Sequence, residues 1–522
     1  MTRNKIIVRF LSGLLGLFHA GPLAGQTPDI NAAIADLQSN GGLMGISVVT
    51  FCGDAITGSH HHGLRDFELG LPVTSTTAYR MASVSKAATA AACMRLVEAG
   101  LLDLDADCSG YLGFPLVHPN FPGVVITPRM LLSHTSGLRD GTGYGGFLAE
   151  TTDGDALIPP LDALVVPGGA YHTANVWGSA APGTYFQYSN LNFGVLATVM
   201  EAAAFQRFDL LMTEWVLAPL GCTGGFNVAE LSGIADLAVL YRNQGGWTAQ
   251  ADDFGGVNPP AGDWGGYVPG TNGLLFGPQG GLRISAEEMA RIAGVWGDGS
   301  WNGVTLLQPG SVAAMHGAEW TFDGGNGNNY YGLFQGWGLG LHRAGLTATD
   351  ALWGDGTQWV GHPGEAYGLI SDAYVDAARG WGFVFATNGS WNGYSVGETA
   401  WYTLEEQVFA AIAPDWAVCG TSVGVAALDG HTSEQPGHVS GLTPSPNRLA
   451  PNPGRGGDGI RWVGPSPPVP GERVEWRGMD GRLVASGTAG EGGLLPAAPA
   501  GAGLYRLFLP ATGRSLPWVG VE

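Results

Sequence analysis

The tetrapeptide Ser83-Val84-Ser85-Lys86 opens an alanine-rich, apolar run that ends at Gly100. This run predicts a helix over 82–100, with the glycine as its stop. Residues three apart share one face of a helix, so we expect the Lys86 amine to lie beside the Ser83 hydroxyl. The positive end of the helix dipole disfavours a second positive charge, which favours the deprotonated amine.

The use of lysine points to the same position. The chain has 23 basic residues, and only Lys5 and Lys86 among them are lysines. Arginine can supply surface charge, but it cannot release its proton, whereas a desolvated lysine can act as a base. The sequence therefore predicts Ser83 as a nucleophile and Lys86 as its proton-handling partner. A backbone N–H at the start of the helix can stabilise a developing oxyanion.

A second motif, Tyr188-Ser189-Asn190, precedes a predicted helix over 191–203. A phenol and an amide two residues apart in an irregular segment can both point into one pocket. We therefore expect Tyr188 to relay a proton and Asn190 to bind a substrate carbonyl. The alternative is a packed tyrosine followed by a helix-capping asparagine.

A third motif, His362-Pro363-Gly364, stands just before a strand-like run over 368–375. Here His362 can donate a hydrogen bond to substrate, and Gly364 lets substrate approach the backbone closely. Both are predicted substrate-binding residues.

In this order the three motifs resemble those of the penicillin-recognising serine enzymes: class C β-lactamases, D-stereospecific peptidases and β-lactamase-like esterases. The resemblance extends over about residues 30–413 and includes the stretches 131–138 and 280–288. It implies a mixed α/β fold, in which an antiparallel sheet built from both ends of the domain is flanked by helices and interrupted by a helical insertion. It also implies a covalent acyl-enzyme without metal or other cofactor. By position, the backbone N–H of Glu365 would be the second oxyanion donor, beside that of Ser83.

The third motif departs from the β-lactamase pattern. β-Lactamases usually carry K-T-G there, and its ammonium and hydroxyl help to hold the carboxylate of the antibiotic. His362 and Pro363 lack both groups, which favours an esterase or peptidase acting on small esters or amides. The alternatives are a β-lactamase and a penicillin-binding sensor protein that deacylates slowly.

Other candidate motifs are weaker. The segment 420–424, G-T-S-V-G, matches a nucleophile elbow around Ser422, but too little chain follows to build an α/β-hydrolase sheet. The run His60-His61-His62 could bind a metal, yet consecutive residues diverge on a strand, so we expect an exposed turn and no metal site. We expect His134 to be structural.

Composition limits the possible partners. A net charge of −21 argues against nucleic acid and against an anionic membrane surface. Residues 1–25 carry a basic start and a short apolar run typical of a signal peptide, and no stretch is long enough for stable membrane insertion. We therefore expect a secreted or cell-surface protein. In that compartment the five cysteines could form up to two disulfides.

Periodicity outlines the remaining organisation. It predicts a helix after Thr27, strands over 45–51 and 382–386, and a last helix over 398–413. The hydrolase domain is assigned to 26–416, a Gly-, Ser-, Thr- and Pro-rich linker to 417–446, and a small β module to 447–522.

The β module resembles the sorting domains of the type IX secretion system, through Pro451-Asn452-Pro453, Asp480-Gly481-Arg482 and Gly503-Leu504-Tyr505. This resemblance makes the secretion machinery an expected partner. The alternative is a module that binds polysaccharide or the cell wall.

Overall fold

A computed structural model describes residues 29–152, 158–262, 264, 266–391 and 394–419. Beyond these it describes strand backbones at 448–450, 461–463, 473–478, 483–488, 503–509, 514–515 and 519–521. The predicted signal peptide, the G-T-S-V-G segment and most of the linker lie outside the described residues.

The centre of the fold is a nine-stranded antiparallel sheet, in the order β4-β5-β6-β7-β8-β9-β1-β2-β3. Its strands are β1 (Gly45–Cys52), β2 (Ala55–Asp66), β3 (Leu71–Pro72), β4 (Trp320–Thr321), β5 (Gly336–Trp337), β6 (His342–Ala344), β7 (Trp359–Ala366), β8 (Leu369–Asp376) and β9 (Trp381–Thr387). Strands from the two ends of the domain meet where β1 pairs with β9. The predicted mixed α/β fold, with its sheet built from both ends, is confirmed.

Helices cover the sheet and fill the long insertion between β3 and β4. They are α1 (Ile30–Asn40), α2 (Ser85–Glu98), α3 (Cys108–Leu112), α4 (Pro128–Leu132), α5 (Tyr144–Thr152), α6 (Asp162–Val165), α7 (Asn190–Ala204), α8 (Phe208–Met212), α9 (Ala286–Asp298), α10 (Pro309–His316) and α11 (Thr403–Val418). Short 3-10 turns occur at Ala82–Val84, Ala174–Val176, Val228–Glu230, Ile234–Asp236, Gly273–Phe276 and Tyr330–Gly332, and a π-helical turn at Thr213–Leu217. Small strand pairs join Ala78–Arg80 to Arg283–Ser285, Leu240–Asn243 to Trp247–Ala251, and Ser300–Trp301 to Val304–Thr305.

The two faces of the sheet pack against different layers. Side chains alternate along a strand, so Ile46 and Val48 of β1 lie in one core with α1 and α11. Val49 and Phe51 face the other way, into the core that contains α9 and the helical insertion. The sheet is therefore buried on both faces.

A disulfide joins Cys52, at the end of β1, to Cys419, directly after α11. The other cysteines, Cys93, Cys108 and Cys222, are free and buried. The chain thus forms one of the two disulfides that its cysteine count allows, and this disulfide fixes the last helix to the sheet.

Two predictions about local structure are wrong. The three consecutive histidines lie within β2 rather than in a turn, because His62 pairs with Ile46 and His60 with Val48 across the β1–β2 ladder. The last helix starts at Thr403 instead of 398, because the Glu406 carboxylate accepts hydrogen bonds from the backbone N–H groups of 398 and 399 and holds them outside the helix.

Elsewhere the predicted elements are present. The helix after Thr27 is α1, and the helix after the second motif is α7. In the C-terminal part, strands Arg473–Gly478 and Gly503–Leu509 form where short strands were expected, and they pair antiparallel. Within the described residues, no helix is long and apolar enough to cross a bilayer.

Candidate active site

The predicted nucleophile lies in a strained turn. Ser83 belongs to the 3-10 turn that leads into α2, and Ala82 before it has a left-handed φ of 45°. Such backbone conformations persist only where the surroundings enforce them, and they cluster at functional sites. Here the Ser371 hydroxyl of β8 donates to the Met81 carbonyl at 3.1 Å and ties the turn to the sheet.

The Lys86 amine is fully buried beside this serine. Its Nζ lies 2.9 Å from Ser83 Oγ, 2.9 Å from Asn190 Oδ1 and 2.8 Å from the Gln279 carbonyl. The amide and backbone oxygens only accept hydrogen bonds, so each takes one N–H. A neutral amine has two N–H groups, so its lone pair is left facing the Ser83 hydroxyl. This geometry suits a base that removes the serine proton.

Electrostatics favours the same protonation state. Burial lowers the pKa of Lys86 to about 7, and the negative charge of Asp140 opposes this shift. A substantial fraction of the amine is therefore unprotonated at neutral pH.

Tyr188 is close to both the serine and the lysine. Its phenol is hydrogen-bonded to Ser83, and its ring centroid is 4.9 Å from Lys86 Nζ. Burial raises the pKa of Tyr188 far above its ordinary value, so the phenol remains protonated at neutral pH. It can donate or relay a proton, while the lysine is the stronger candidate for the base.

Asn190 is the first residue of α7, and it links the amine to a carboxylate. Its Nδ2 donates to Asp140 Oδ2 at 2.8 Å, while its Oδ1 accepts from Lys86. The side chain therefore takes part in the site, whereas the cap of α7 is supplied by Asp140, which accepts from the backbone N–H groups of Asn190 and Leu191 at 3.1 and 2.9 Å.

His362 lies under the tyrosine rather than at an open surface. Its ring is fully buried, 5.9 Å from the Tyr188 ring, and its Nδ1 donates to the Pro363 carbonyl at 2.6 Å. Burial, reinforced by the charge of Lys86, lowers the pKa of His362 well below its ordinary value. The motif is part of β7 rather than the segment before a strand, so its histidine packs against the Tyr188 ring, and direct contact of this side chain with substrate stays a prediction.

Gly364 is needed for a close approach, but the neighbour is the nucleophile turn. A Cβ at this position would lie 2.5 Å from Ser371 Oγ, 2.9 Å from the Met81 carbonyl oxygen and 3.3 Å from the Ser83 nitrogen. Any side chain would push the turn away from β7. The glycine thus sets the distance between the strand and the serine.

The backbone N–H of Glu365, the predicted second oxyanion donor, is not used in the pairing of β7 with β8. Glu365 pairs with Ile370, whose N–H and C=O are both hydrogen-bonded to the Thr387 hydroxyl of β9. The N–H and C=O of one residue point to the same side of a strand, so the Glu365–Ile370 pair is a non-hydrogen-bonded one. The Glu365 N–H therefore points away from β8, at a part of β7 that β6 does not cover, since β6 pairs only with 359–361.

A family model described as beta-lactamase matches residues 30–406, which is more than half of the chain. The chain belongs to the β-lactamase family. Because the enzymes of this family are serine hydrolases, the chain is a serine hydrolase as well. The matched range contains all three motifs.

Two curated relatives in the family differ in kind. Penicillin-binding protein 4 of Amycolatopsis lactamdurans is 28% identical over 333 residues, which cover 61% of this chain and 74% of that protein. Esterase EstB of Burkholderia gladioli is 36% identical over 177 residues, which cover 32% of this chain and 43% of the esterase. The match to the esterase therefore spans less than half of its length.

Solved structures share the fold. The octameric penicillin-binding protein homologue from Pyrococcus abyssi has a TM-score of 0.54 at 21% identity, over 74% of this chain and 76% of its own. The D-amino acid amidase from Ochrobactrum anthropi SV3 has a TM-score of 0.53 at 17% identity, over 74% and 97%. At these identities the likeness concerns the β-lactamase-type fold alone.

Sequence reasoning missed two contributors to this β-lactamase-type site. Asp140 stands only two residues beyond the stretch 131–138 that carries part of the resemblance, and an acidic residue so near the motif was a usable signal. The sequence carries no signal for the Gln279 carbonyl, because every residue type has a backbone oxygen.

The other histidines singled out from the sequence have structural contacts. His134 Nδ1 accepts from the Ser189 N–H and the Asn192 amide, at 3.3 and 3.1 Å. His60 and His62 both contact the Asn31 amide oxygen, at 3.4 and 3.0 Å. Over the described part of the chain, no three His, Cys, Asp or Glu side chains are grouped so as to hold a metal ion.

Proposed function

We propose that this chain hydrolyses small esters or amides through an acyl-enzyme formed on Ser83. The observation that carries the proposal is the buried Lys86 amine, 2.9 Å from Ser83 Oγ, whose two other contacts accept hydrogen bonds only. A base with a pKa near the working pH is the most effective kind of general base.

The reaction follows from this arrangement. Lys86 takes the proton of Ser83 as Oγ attacks the substrate carbonyl, and the negative oxygen that forms is held by the N–H groups of Ser83 and Glu365. The lysine and the Tyr188 phenol return the proton to the leaving alcohol or amine as its bond to the carbonyl carbon breaks. Water then attacks the acyl-enzyme and releases the acid, with the same groups handling the proton.

Asn190 and His362 have different parts in this proposal. The Asn190 Nδ2 donates one N–H to Asp140, so its second N–H can donate to the substrate carbonyl while Oδ1 accepts from Lys86. His362 acts through Tyr188, because its buried ring supports the phenol from beneath. No metal or other cofactor has a part in these steps.

Two observations favour an ester or amide substrate over a β-lactam. The third motif offers neither the ammonium nor the hydroxyl that hold an antibiotic's carboxylate, and its histidine is buried. Among the similar proteins are an esterase and a D-amino acid amidase. Losing a hydrogen bond to a charged group costs about 1.5–3 kcal/mol. A chromogenic cephalosporin, whose carboxylate would lack this hydrogen bond, should therefore be turned over more slowly than a short-chain aryl ester.

A second candidate is a penicillin-binding protein that is acylated but deacylates slowly. The similarity to penicillin-binding protein 4 favours it. A burst of one product equivalent, followed by almost no turnover, distinguishes this candidate from a hydrolase with steady turnover of the same β-lactam.

A fluorophosphonate probe tests the nucleophile. The purified protein should be labelled at Ser83, and Ser83→Ala should remain unlabelled. Ser422→Ala is the matched control, since it removes the serine of the G-T-S-V-G segment and should be labelled like the wild type. Labelling of Ser83→Ala that disappears when Ser422 is also removed would assign the nucleophile to the elbow motif and overturn the proposal.

We also propose that the protein is exported and that residues 447–522 serve as a secretion signal. The basic and apolar start of the chain and the Cys52–Cys419 disulfide support export, because disulfides persist mainly in oxidising compartments. Mass spectrometry of the protein secreted by its native host should find the module removed. Recovery of secreted protein with Glu522 in place would contradict the sorting role.

A further inference from the structure

Asp140 makes four hydrogen bonds at the start of α7. Its carboxylate accepts from the Ser189 hydroxyl at 2.8 Å, from the Asn190 N–H at 3.1 Å, from Asn190 Nδ2 at 2.8 Å and from the Leu191 N–H at 2.9 Å. Ser189, the residue in the capping position, makes no capping bond with its own side chain. The carboxylate on the preceding loop therefore caps the helix in its place.

The same carboxylate fixes which way the Asn190 amide points. A carboxylate only accepts hydrogen bonds, so the amide must turn its NH2 group toward Asp140. Its oxygen then points the other way, to Lys86 Nζ at 2.9 Å. Without Asp140 the amide could rotate by 180° and present N–H groups to the amine, which would remove one of the two contacts that hold the lysine protons.

Asp140 is also the negative charge that acts on the amine. The other titratable groups around Lys86 come from three segments: Tyr188 before α7, His134 after α4 and His362 in β7. Burial raises the pKa of the phenol and lowers the pKa of both imidazoles, so all three are uncharged at neutral pH. The Asp140 charge raises the pKa of Lys86, against the larger effect of burial.

We propose that Asp140 is a positioning residue of this site, which orients the Asn190 amide toward Lys86 and governs with its charge how readily the amine takes the Ser83 proton. The inference rests on the proposed function. One exposed carboxylate thus has two effects on the Lys86 amine: it sets the direction of the amine's lone pair, and it raises the amine's strength as a base. A base made much weaker by burial alone would be deprotonated but poor at accepting the serine proton.

Two variants separate the two effects. Asp140→Asn removes the charge but keeps an oxygen that can accept from Asn190, whereas Asp140→Ala removes both. The charge is lost in each, so the acid limb of the kcat/KM profile should move to lower pH in each, by about half a pH unit or more. Orientation is lost only in Asp140→Ala, which should lose at least about 10-fold in kcat, while Asp140→Asn should lose much less.

Asp107→Asn is the matched control. Asp107 caps α3 through its bond to the Ser109 N–H at 2.8 Å and has no contact with the site. If Asp140 were only a helix cap, the Asp140→Asn and Asp107→Asn profiles would both keep the wild-type acid limb, and that result would overturn the proposal.

A readout that does not depend on activity separates this inference from the proposed function. Titration of the 13C-labelled Lys86 side chain by NMR should give a lower midpoint in Asp140→Asn than in the wild type. If the midpoint falls although no substrate is turned over, the proposed function fails and the role of Asp140 stands. If turnover is present and the midpoint does not fall, the role of Asp140 fails and the proposed function stands.

Discussion

Lys86 and Asp372 are both fully buried, and they lie on opposite faces of the β7–β8 pair. Ser371 contacts the nucleophile turn from one face, so the next residue, Asp372, points to the other face, toward α11. Lys86 has three hydrogen-bond partners drawn from separate segments. Neither carboxylate oxygen of Asp372 has a partner among the described residues.

The difference shows what burial of an ionisable group indicates in each region. Burial of Asp372 raises its pKa well above the ordinary value, and the nearby charge of Glu405 adds to the shift. It stays protonated in the fold, and we find no chemistry for it. Lys86 is as deeply buried, but its partners leave one direction open, toward a serine. Burial alone therefore does not identify a functional group, whereas burial with directed partners does.

The largest expected effect is at Lys86. Lys86→Arg keeps a positive side chain of similar reach but cannot act as a base, because guanidinium stays protonated at any workable pH. General acid–base catalysis contributes about 100- to 10,000-fold. We therefore expect a loss of at least about 100-fold in kcat/KM for ester hydrolysis, close to that of Lys86→Ala, with an unchanged circular dichroism spectrum.

A small loss in Lys86→Arg would assign a different role to the buried amine. If Lys86→Arg retains more than about a tenth of wild-type activity, the buried amine serves as an electrostatic anchor. Tyr188 would then become the leading candidate for the base.

A smaller effect, on stability instead of catalysis, is expected at Asp372. Its raised pKa means that the folded state holds a proton that the unfolded state has released, from pH 3.8, the ordinary pKa, upward. The contribution of Asp372 to the free energy of unfolding is then fully present at low pH and is lost as the pH rises through that interval. Asp372→Asn removes the titration, so in urea unfolding from about pH 4 upward its stability should fall less steeply than that of the wild type, by up to about 1.4 kcal/mol for each pH unit within that interval.

Ester hydrolysis by Asp372→Asn should stay within about twofold of the wild type, because the side chain lies on the face away from Ser83. An equal pH slope of stability in the wild type and in Asp372→Asn would contradict the account of this region.

The smallest effect is expected at Glu405. This carboxyl is also buried, and burial raises its pKa, but it accepts a hydrogen bond from the Tyr402 N–H at 2.5 Å. Part of its burial cost is thus offset. Glu405→Gln should therefore flatten the same pH dependence by less than Asp372→Asn does. An effect larger than that of Asp372→Asn would contradict this order and assign most of the pH dependence of the two carboxyls to Glu405.

Much of the fold could be predicted from the sequence because its elements are locally encoded. The apolar spacing of Ile30, Ile34 and Leu37 is enough for α1, and β-branched residues are enough for β1. Strand β7 was missed because Pro363 and Gly364 are unfavourable in a strand. The ladder accepts the proline at a non-hydrogen-bonded position, opposite Asp372, where no N–H is needed.

The site was predictable to the extent that it uses side chains at fixed spacing. The S-x-x-K spacing and the scarcity of lysine were enough to predict that Ser83 and Lys86 lie side by side. In the structure, Lys86 Nζ is 2.9 Å from Ser83 Oγ. The roles of Asp140 and the Gln279 carbonyl depend on loops that meet only after folding. The inward direction of His362 depends on the register of β7, which the local sequence does not determine.

The protonation state of Lys86 can be followed by NMR, because the chain is so poor in lysine. The chain contains two lysines, so Lys5→Arg leaves Lys86 as the only lysine, and 13Cε-lysine labelling then gives one side-chain signal to follow by NMR as the pH is raised. A base made by burial beside Ser83 predicts a midpoint near the value of about 7 that its surroundings impose. A midpoint near 10.5, the ordinary value for lysine, would contradict the account, since the amine would then be a permanent cation at neutral pH.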